Sequence, residues 1–235
     1  MSHRQASRTA ARKATRKTAS ATAIEAFARS PRPLALRCSV QHYGWGDPVF
    51  IPRLIGRANL ARRPFAELWI GAHPDLPATV DLDGVDMPLD QLIAAAPEAL
   101  LGLRTVNRFG PRLPFLLKVL AARQPLSIQV HPNRSQASQG FEREERAGVA
   151  VTDPKRNYRD RNHKPELLVA LSDFHALLGF RPWQRIAETL AETPELAALS
   201  EHLAPSPAAL QTLYCRLMRM SQQEVNALLD PLVTR

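Results

Sequence analysis

Gln129, His131 and Glu166 are the side chains whose types and spacing in this 235-residue sequence could hold a metal ion. Read with a period of two, LSIQVHP puts Leu126, Ile128 and Val130 on one face and Ser127, Gln129 and His131 on the other. Donors two residues apart on a strand stand roughly 6–7 Å apart at the backbone and point the same way, so both can reach one ion. In HKPELLVAL the same alternation sets Lys164 beside Glu166, opposite Pro165, Leu167 and Val169. Two oxygens and an imidazole nitrogen suit zinc, without excluding manganese or iron. A shell left incomplete by the protein keeps positions open for Lewis-acid chemistry. Taken alone, a Gln-x-His pattern is more often a surface or core feature. Lys118, which interrupts the apolar run FLLKVL, reads either as half of an ion pair with the carboxylates of the site or as a pocket residue.

Three short strands must carry these side chains: FLLKVL and LSIQVHP, joined by AARQP, and HKPELLVAL some thirty residues later. Upstream, LALRCSVQHYGWGDP reads as a strand entering a turn, and IPRLIG as a helical turn. FAELWIGAHP alternates Ala66, Leu68 and Ile70 against Glu67, Trp69 and Gly71, a half-buried strand that delivers His73. PATVDLDGVDMPL is a hairpin around Asp83-Gly84. PLDQLIAAAPEALLGL is helical and broken at Pro97, and SQASQGFEREERAGV is a polar helix capped by Ser135 and stopped at Gly148. After Pro182 come three helical segments, with Ser206-Pro207 as a cap and first-turn pair and Ser221 with Glu224 as a capping box. Short strands followed by helices predict a mainly β fold, a barrel or jelly roll with an appended helical module.

The formal net charge of +9 resembles a nucleic-acid signal until it is located. Residues 1–30 carry seven basic side chains and Glu25, a net of +6, so the remaining chain is nearly balanced at +3. A balanced globular part implies no nucleic-acid partner, and no run of about 18 apolar residues implies a membrane span. Residues 1–32 are expected to be a disordered or weakly helical basic extension, because their Ala, Ser, Thr and Arg composition supplies little to bury. Cys38 and Cys215 stand apart and read as reduced thiols, which places the chain in the cytoplasm.

YGWG (43–46), AELWIGAHP (66–74), LPFLLKVLAARQPLSIQVHPN (113–133) and RNYRDRNHKPELLVAL (156–171) together resemble type I phosphomannose isomerases. The resemblance implies a cupin-type jelly-roll catalytic domain over 33–182 and a partial, truncated helical domain over 183–235. It implies one zinc per chain and the interconversion of mannose 6-phosphate and fructose 6-phosphate, in the supply of GDP-mannose precursors. Gln129, His131 and Glu166 match three of the family's metal ligands. The fourth is a histidine that follows the helical domain in the family and lies beyond this sequence. By the same resemblance Lys118, Lys164 and His73 are the catalytic candidates. The residues themselves offer Ser127, Trp45 and Glu67 as contacts to the sugar phosphate, with Glu67 alternatively a partner that supports another side chain of the site. A missing C-terminal half supplied by another chain is the partner this implies. The alternative is an inactive remnant that binds metal or sugar phosphate.

Overall fold

Two three-stranded antiparallel sheets lie at the centre of the fold's first part. The computed structural model describes residues 18–202 and 206–234. The chain divides into two compact units, Met1–Gln139 and Gly140–Arg235.

In the first unit the strand expected after Pro33 divides at Cys38 into β1 (Leu36–Arg37) and β2 (Ser39–Gln41), which join different sheets. β1 pairs with β4 (Thr79–Leu82), and β4 with β5 (Val85–Pro88). The β4–β5 turn is the expected Asp83-Gly84 pair, with φ of 52° and 84°, the two positive values a tight hairpin requires. The second sheet has the order β2–β3–β6, with β3 (Glu67–Ile70) central and β6 (Leu117–Leu120) at its edge. Leu68 lies opposite Val40 and Val119, and these three meet Ile51, Phe65 and Ala121 in one core. Ile51 comes from α2 (Phe50–Leu54), the expected helical turn, whose first N–H groups are accepted by Asp47 Oδ1 at 2.7 Å. Pro97 and Gly102 divide the next helical run into α3 (Leu89–Ala95), α4 (Pro97–Leu101) and α5 (Leu103–Phe109).

The extension expected over residues 1–32 to be disordered or weakly helical is, in the part described, a helix that packs into the core. Residues 18–29 form a helix, α1, and residues 1–17 lie outside the described residues. Ala23 and Phe27, one turn apart, enter the core of Val80, Leu82, Met87, Leu89, Leu92 and Ile93, where Phe27 is only 2% exposed. A single apolar stripe overrides a polar average composition.

In the second unit α7 (Trp183–Glu192), a 3₁₀ segment (Pro194–His202), α8 (Pro207–Leu217) and α9 (Gln222–Val233) pack around Leu190, Leu199 and Leu213. Ser206 Oγ accepts the Ala209 N–H at 3.2 Å, and Ser221 with Glu224 completes the expected capping box. α6 (Arg134–Arg146) contains the boundary between the units. Its cap is Asn133, not Ser135: the Gln136 N–H donates to Asn133 Oδ1 and the Asn133 N–H to Gln136 Oε1, each at 2.9 Å.

The mainly β expectation holds only as far as the antiparallel sheets. Helical residues outnumber strand residues among those described, and the sheets do not close into a barrel. The shortfall lies in LSIQVHP and ELLVAL, which carry no strand assignment. A strand exists only through its ladder, and these segments have no ladder.

Candidate functional site

One face of the β2–β3–β6 sheet is polar where the opposite face is core. Period two along β3 sends Leu68 into the core and Glu67 and Trp69 to the other side, with Lys118 of β6 directly across from Trp69. Glu67, 6% exposed, accepts the Trp69 indole N–H on Oε2 at 2.7 Å and the Lys118 ammonium on Oε1 at 3.1 Å. Lys118 Nζ also stands 5.7 Å from the centre of the Trp69 ring. The lysine that interrupts an apolar strand is therefore paired, and its partner is a residue 51 positions away in sequence.

His73 follows β3 and meets Trp69 edge to face, with ring centres 4.9 Å apart. Its Nδ1 accepts the Asp75 N–H at 3.2 Å, so the neutral ring carries its proton on Nε2. Tyr43 and Trp45 stack at 5.7 Å. Burial pushes the Tyr43 phenol above its usual pKa, and the Glu67 and Asp75 carboxylates add to the rise. Gly46, next to Trp45, is required by close approach: a Cβ there would lie 2.6 Å from the Ala66 backbone nitrogen. The YGWG turn is thereby pressed onto the start of β3. Asp75 is the contributor sequence reasoning missed; its only signal was its place two residues after His73.

Ser127, Gln129 and His131 follow in the first unit on an exposed segment whose apolar residues are exposed as well, Ile128 at 79% and Val130 at 80%. In the second unit Lys164 and Glu166 do share a side, with Nζ 3.5 Å from Oε1. The apolar run after them is bare too, with Leu167 at 93% and Leu178 at 97%. Among the described residues no group of three or more His, Cys, Asp and Glu side chains is placed to hold a metal ion.

The connection leading to Lys164 is knotted to α6 within the second unit. The buried Arg156 donates through Nε to the Tyr158 carbonyl at 2.8 Å and through Nη1 to the Val149 carbonyl. Its guanidinium lies 4.8 Å from the centre of the Phe141 ring and 3.2 Å from Glu144 Oε2. Nη2 comes within 2.7 Å of Glu145 Oε1 without the alignment of a hydrogen bond, so that contact is ionic. The Tyr158 N–H, donating to Glu144 Oε2 at 2.8 Å, holds the Glu144 carboxyl below the usual carboxylate range. Desolvation opposes this, while the Asn157 amides and Arg156 reinforce it.

A folded pKa below the unfolded one means stability that is present above the unfolded pKa and lost as pH falls through the folded value. Acid titration of unfolding, followed by urea denaturation between about pH 5.5 and 3, is expected to show that loss. Glu144→Gln should flatten this part of the profile. An unchanged profile in the variant would remove Glu144 from the account.

The family description "Phosphomannose isomerase type I, catalytic domain" matches residues 34–183. A mannose-6-phosphate isomerase of Salmonella typhimurium is 41% identical over 189 residues, covering 79% of this chain and 48% of that protein. The mannose-6-phosphate isomerase of Macaca fascicularis is 35% identical over 228 residues, covering 88% of this chain and 51% of that protein. The crystal structure of the Salmonella typhimurium enzyme bound to fructose 6-phosphate and zinc superposes with a TM-score of 0.76 at 39% identity, covering 86% of this chain and 51% of that one. Variants of the Salmonella enzyme with a lysine, a histidine or a glutamate replaced by alanine have also been solved. The chain spans about half the length of the curated relatives it matches. On the match over residues 34–183, this chain belongs to the type I phosphomannose isomerases, through their catalytic domain.

Proposed function

We propose that this chain is the catalytic-domain part of a zinc-dependent mannose-6-phosphate isomerase that interconverts mannose 6-phosphate and fructose 6-phosphate, working in the cytoplasm to supply GDP-mannose precursors. The observation that carries the proposal is a spacing. The lysine, histidine and glutamate replaced in the Salmonella variants lie thirteen and then thirty-five residues apart, and so do Lys118, His131 and Glu166. Three functional types in the same order at the same two intervals are hard to obtain by chance.

Gln129, His131 and Glu166 would hold the zinc. The donor set fits: two oxygens and a nitrogen, all on exposed residues outside the helices and strands, with the core elsewhere. When bound, the ion would supply Lewis-acid stabilisation to the sugar's carbonyl and hydroxyl oxygens as enediolate charge develops. Aldose–ketose exchange also needs a proton removed beside the carbonyl and returned one carbon away. Lys118 and Lys164 are the amines proposed to bind the anionic sugar phosphate and move that proton. His73, with its Nε2–H, can donate to the ring oxygen as the sugar opens. Ser127 and Trp45 are proposed to contact hydroxyls and one sugar face.

The catalytic domain is proposed to span 33–182 and the helical domain 183–235, with the two sheets forming part of a cupin jelly roll. The bare apolar side chains of Ile128, Val130 and the run 167–180 support this, because apolar side chains at such spacing belong against a packed face of a sheet. Their proposed neighbours are strands of a polypeptide equivalent to the other half of the relatives' length, in the same molecule or a second chain.

Zinc binding tests the reading directly. The chain is expected to retain one zinc after dialysis, and His131→Ala or Glu166→Ala should weaken retention by about a hundredfold or more, beyond the 10–100-fold typical of outer-shell losses. A coupled assay should show fructose 6-phosphate formation that a chelator stops and zinc restores. Equal zinc retention in wild type and both variants would sink the assignment. Zinc retention without turnover, even when the complementary half is supplied, would leave a binding protein.

A further inference from the structure

We infer that Glu67 and Trp69 act as a positioning clamp for Lys118, so that Glu67 serves the site through the lysine and not as a ligand of the sugar. Glu67 sits on the central strand of its sheet, where ladders on both sides fix its backbone. Both its carboxylate oxygens are committed, one to the Trp69 indole at 2.7 Å and one to Lys118 at 3.1 Å. Each oxygen keeps a lone pair, but with Glu67 only 6% exposed a sugar hydroxyl has little access to it. Lys118, by contrast, keeps partial exposure and spends one of its three N–H donors on Glu67.

The geometry follows from register. Trp69 and Lys118 are directly opposed across β3 and β6, and Glu67, two residues along the same face, reaches Lys118 on the diagonal. A lysine side chain alone samples many rotamers. Here an anion on one side and the aromatic ring at 5.7 Å on the other confine the ammonium. The same indole also touches the His73 ring, so one tryptophan sets the separation of two groups proposed to act on the substrate. The clamp takes its relevance from the isomerase reading, but its test needs no turnover.

The test is competitive labelling of the full chain with an amine-acetylating reagent, read by peptide mass spectrometry, with the exposed Lys155 as internal standard. Lys118 is expected to react about tenfold more slowly than Lys155, as the hydrogen bond to Glu67 and the flanking Trp69 ring hold its nitrogen away from the reagent. Glu67→Gln keeps the shape and removes the charge; the Lys118 rate should rise about tenfold while Lys155 stays constant. Trp69→Phe keeps the ring and deletes the indole donor, and should give a smaller rise. In the wild type the Trp69 indole N–H resonance should stand downfield of the other two tryptophans and move upfield in Glu67→Gln. Lys118 reacting as fast as Lys155 in the wild type overturns the clamp whether or not any variant folds. So does a Lys118 rate unchanged in a folded Glu67→Gln.

Discussion

Phe27→Ala is expected to destabilise the first unit by about 3–5 kcal/mol, the cost typical of emptying a fully buried aromatic site. Phe27 lies among Val80 and Leu82 of β4, Met87 of β5 and Leu89, Leu92 and Ile93 of α3, with Ala23 one turn before it. Its ring also lies 5.9 Å from the guanidinium of Arg32, which in turn is 2.6 Å from Asp83 in the β4–β5 turn. Both exposed members of that ion pair add little. The loss therefore comes from the cavity, and it is large against the 5–15 kcal/mol by which domains are usually stable. Urea unfolding followed by the fluorescence of Trp45 and Trp69, both in this unit, measures it. Deleting residues 1–29 should lower the midpoint at least as far. An unchanged midpoint in the deletion would restore the reading of this region as an extension outside the fold.

Arg156→Ala should cost a comparable amount, about 3–5 kcal/mol, because it removes one partner of a buried charged network. The Tyr158 and Val149 carbonyls lose their donor, Glu144 and Glu145 lose their counter-charge, and the face of Phe141 loses its cover. Arg156→Lys should recover only part of the loss, since an ammonium cannot serve the two carbonyls and two carboxylates that the planar guanidinium reaches together. Hydrogen exchange across residues 156–162 is the local readout. Protection that survives in Arg156→Ala would mean that the knot does not hold the connection to Lys164. If Glu166 holds zinc as proposed, zinc retention should fall with that protection, because Glu166 lies beyond the same connection.

Much of the local structure was legible in the sequence. The Asp83-Gly84 turn, the break at Pro97, the Ser206 cap and the Ser221–Glu224 box each depend on residues within four positions of one another. The alternation of β3 was equally readable, and so were the four motifs that identify the family. The cap of α6 was misread by two residues because Asn133 and Ser135 are both good cap types, and only backbone geometry separates them.

What the tertiary structure decided were the contacts between residues far apart in the chain. Average composition assigned residues 18–29 to an extension with nothing to bury, yet one apolar stripe with a core to receive it made them a helix of the fold. The alternating patterns of LSIQVHP and ELLVAL predicted strands, but a pattern supplies only half of a strand and a ladder partner supplies the rest. Glu67 was legible as a carboxylate beside Trp69. That Lys118 would be its partner was not, because the pairing depends on the register of β3 against β6, across 51 residues. The sequence by itself determined which chemistry-bearing residues are present and, through short-range turns and caps, most of the elements that carry them. The fold decided which of those residues face each other, since cross-strand register and burial are properties of the assembled sheet and of no segment within it.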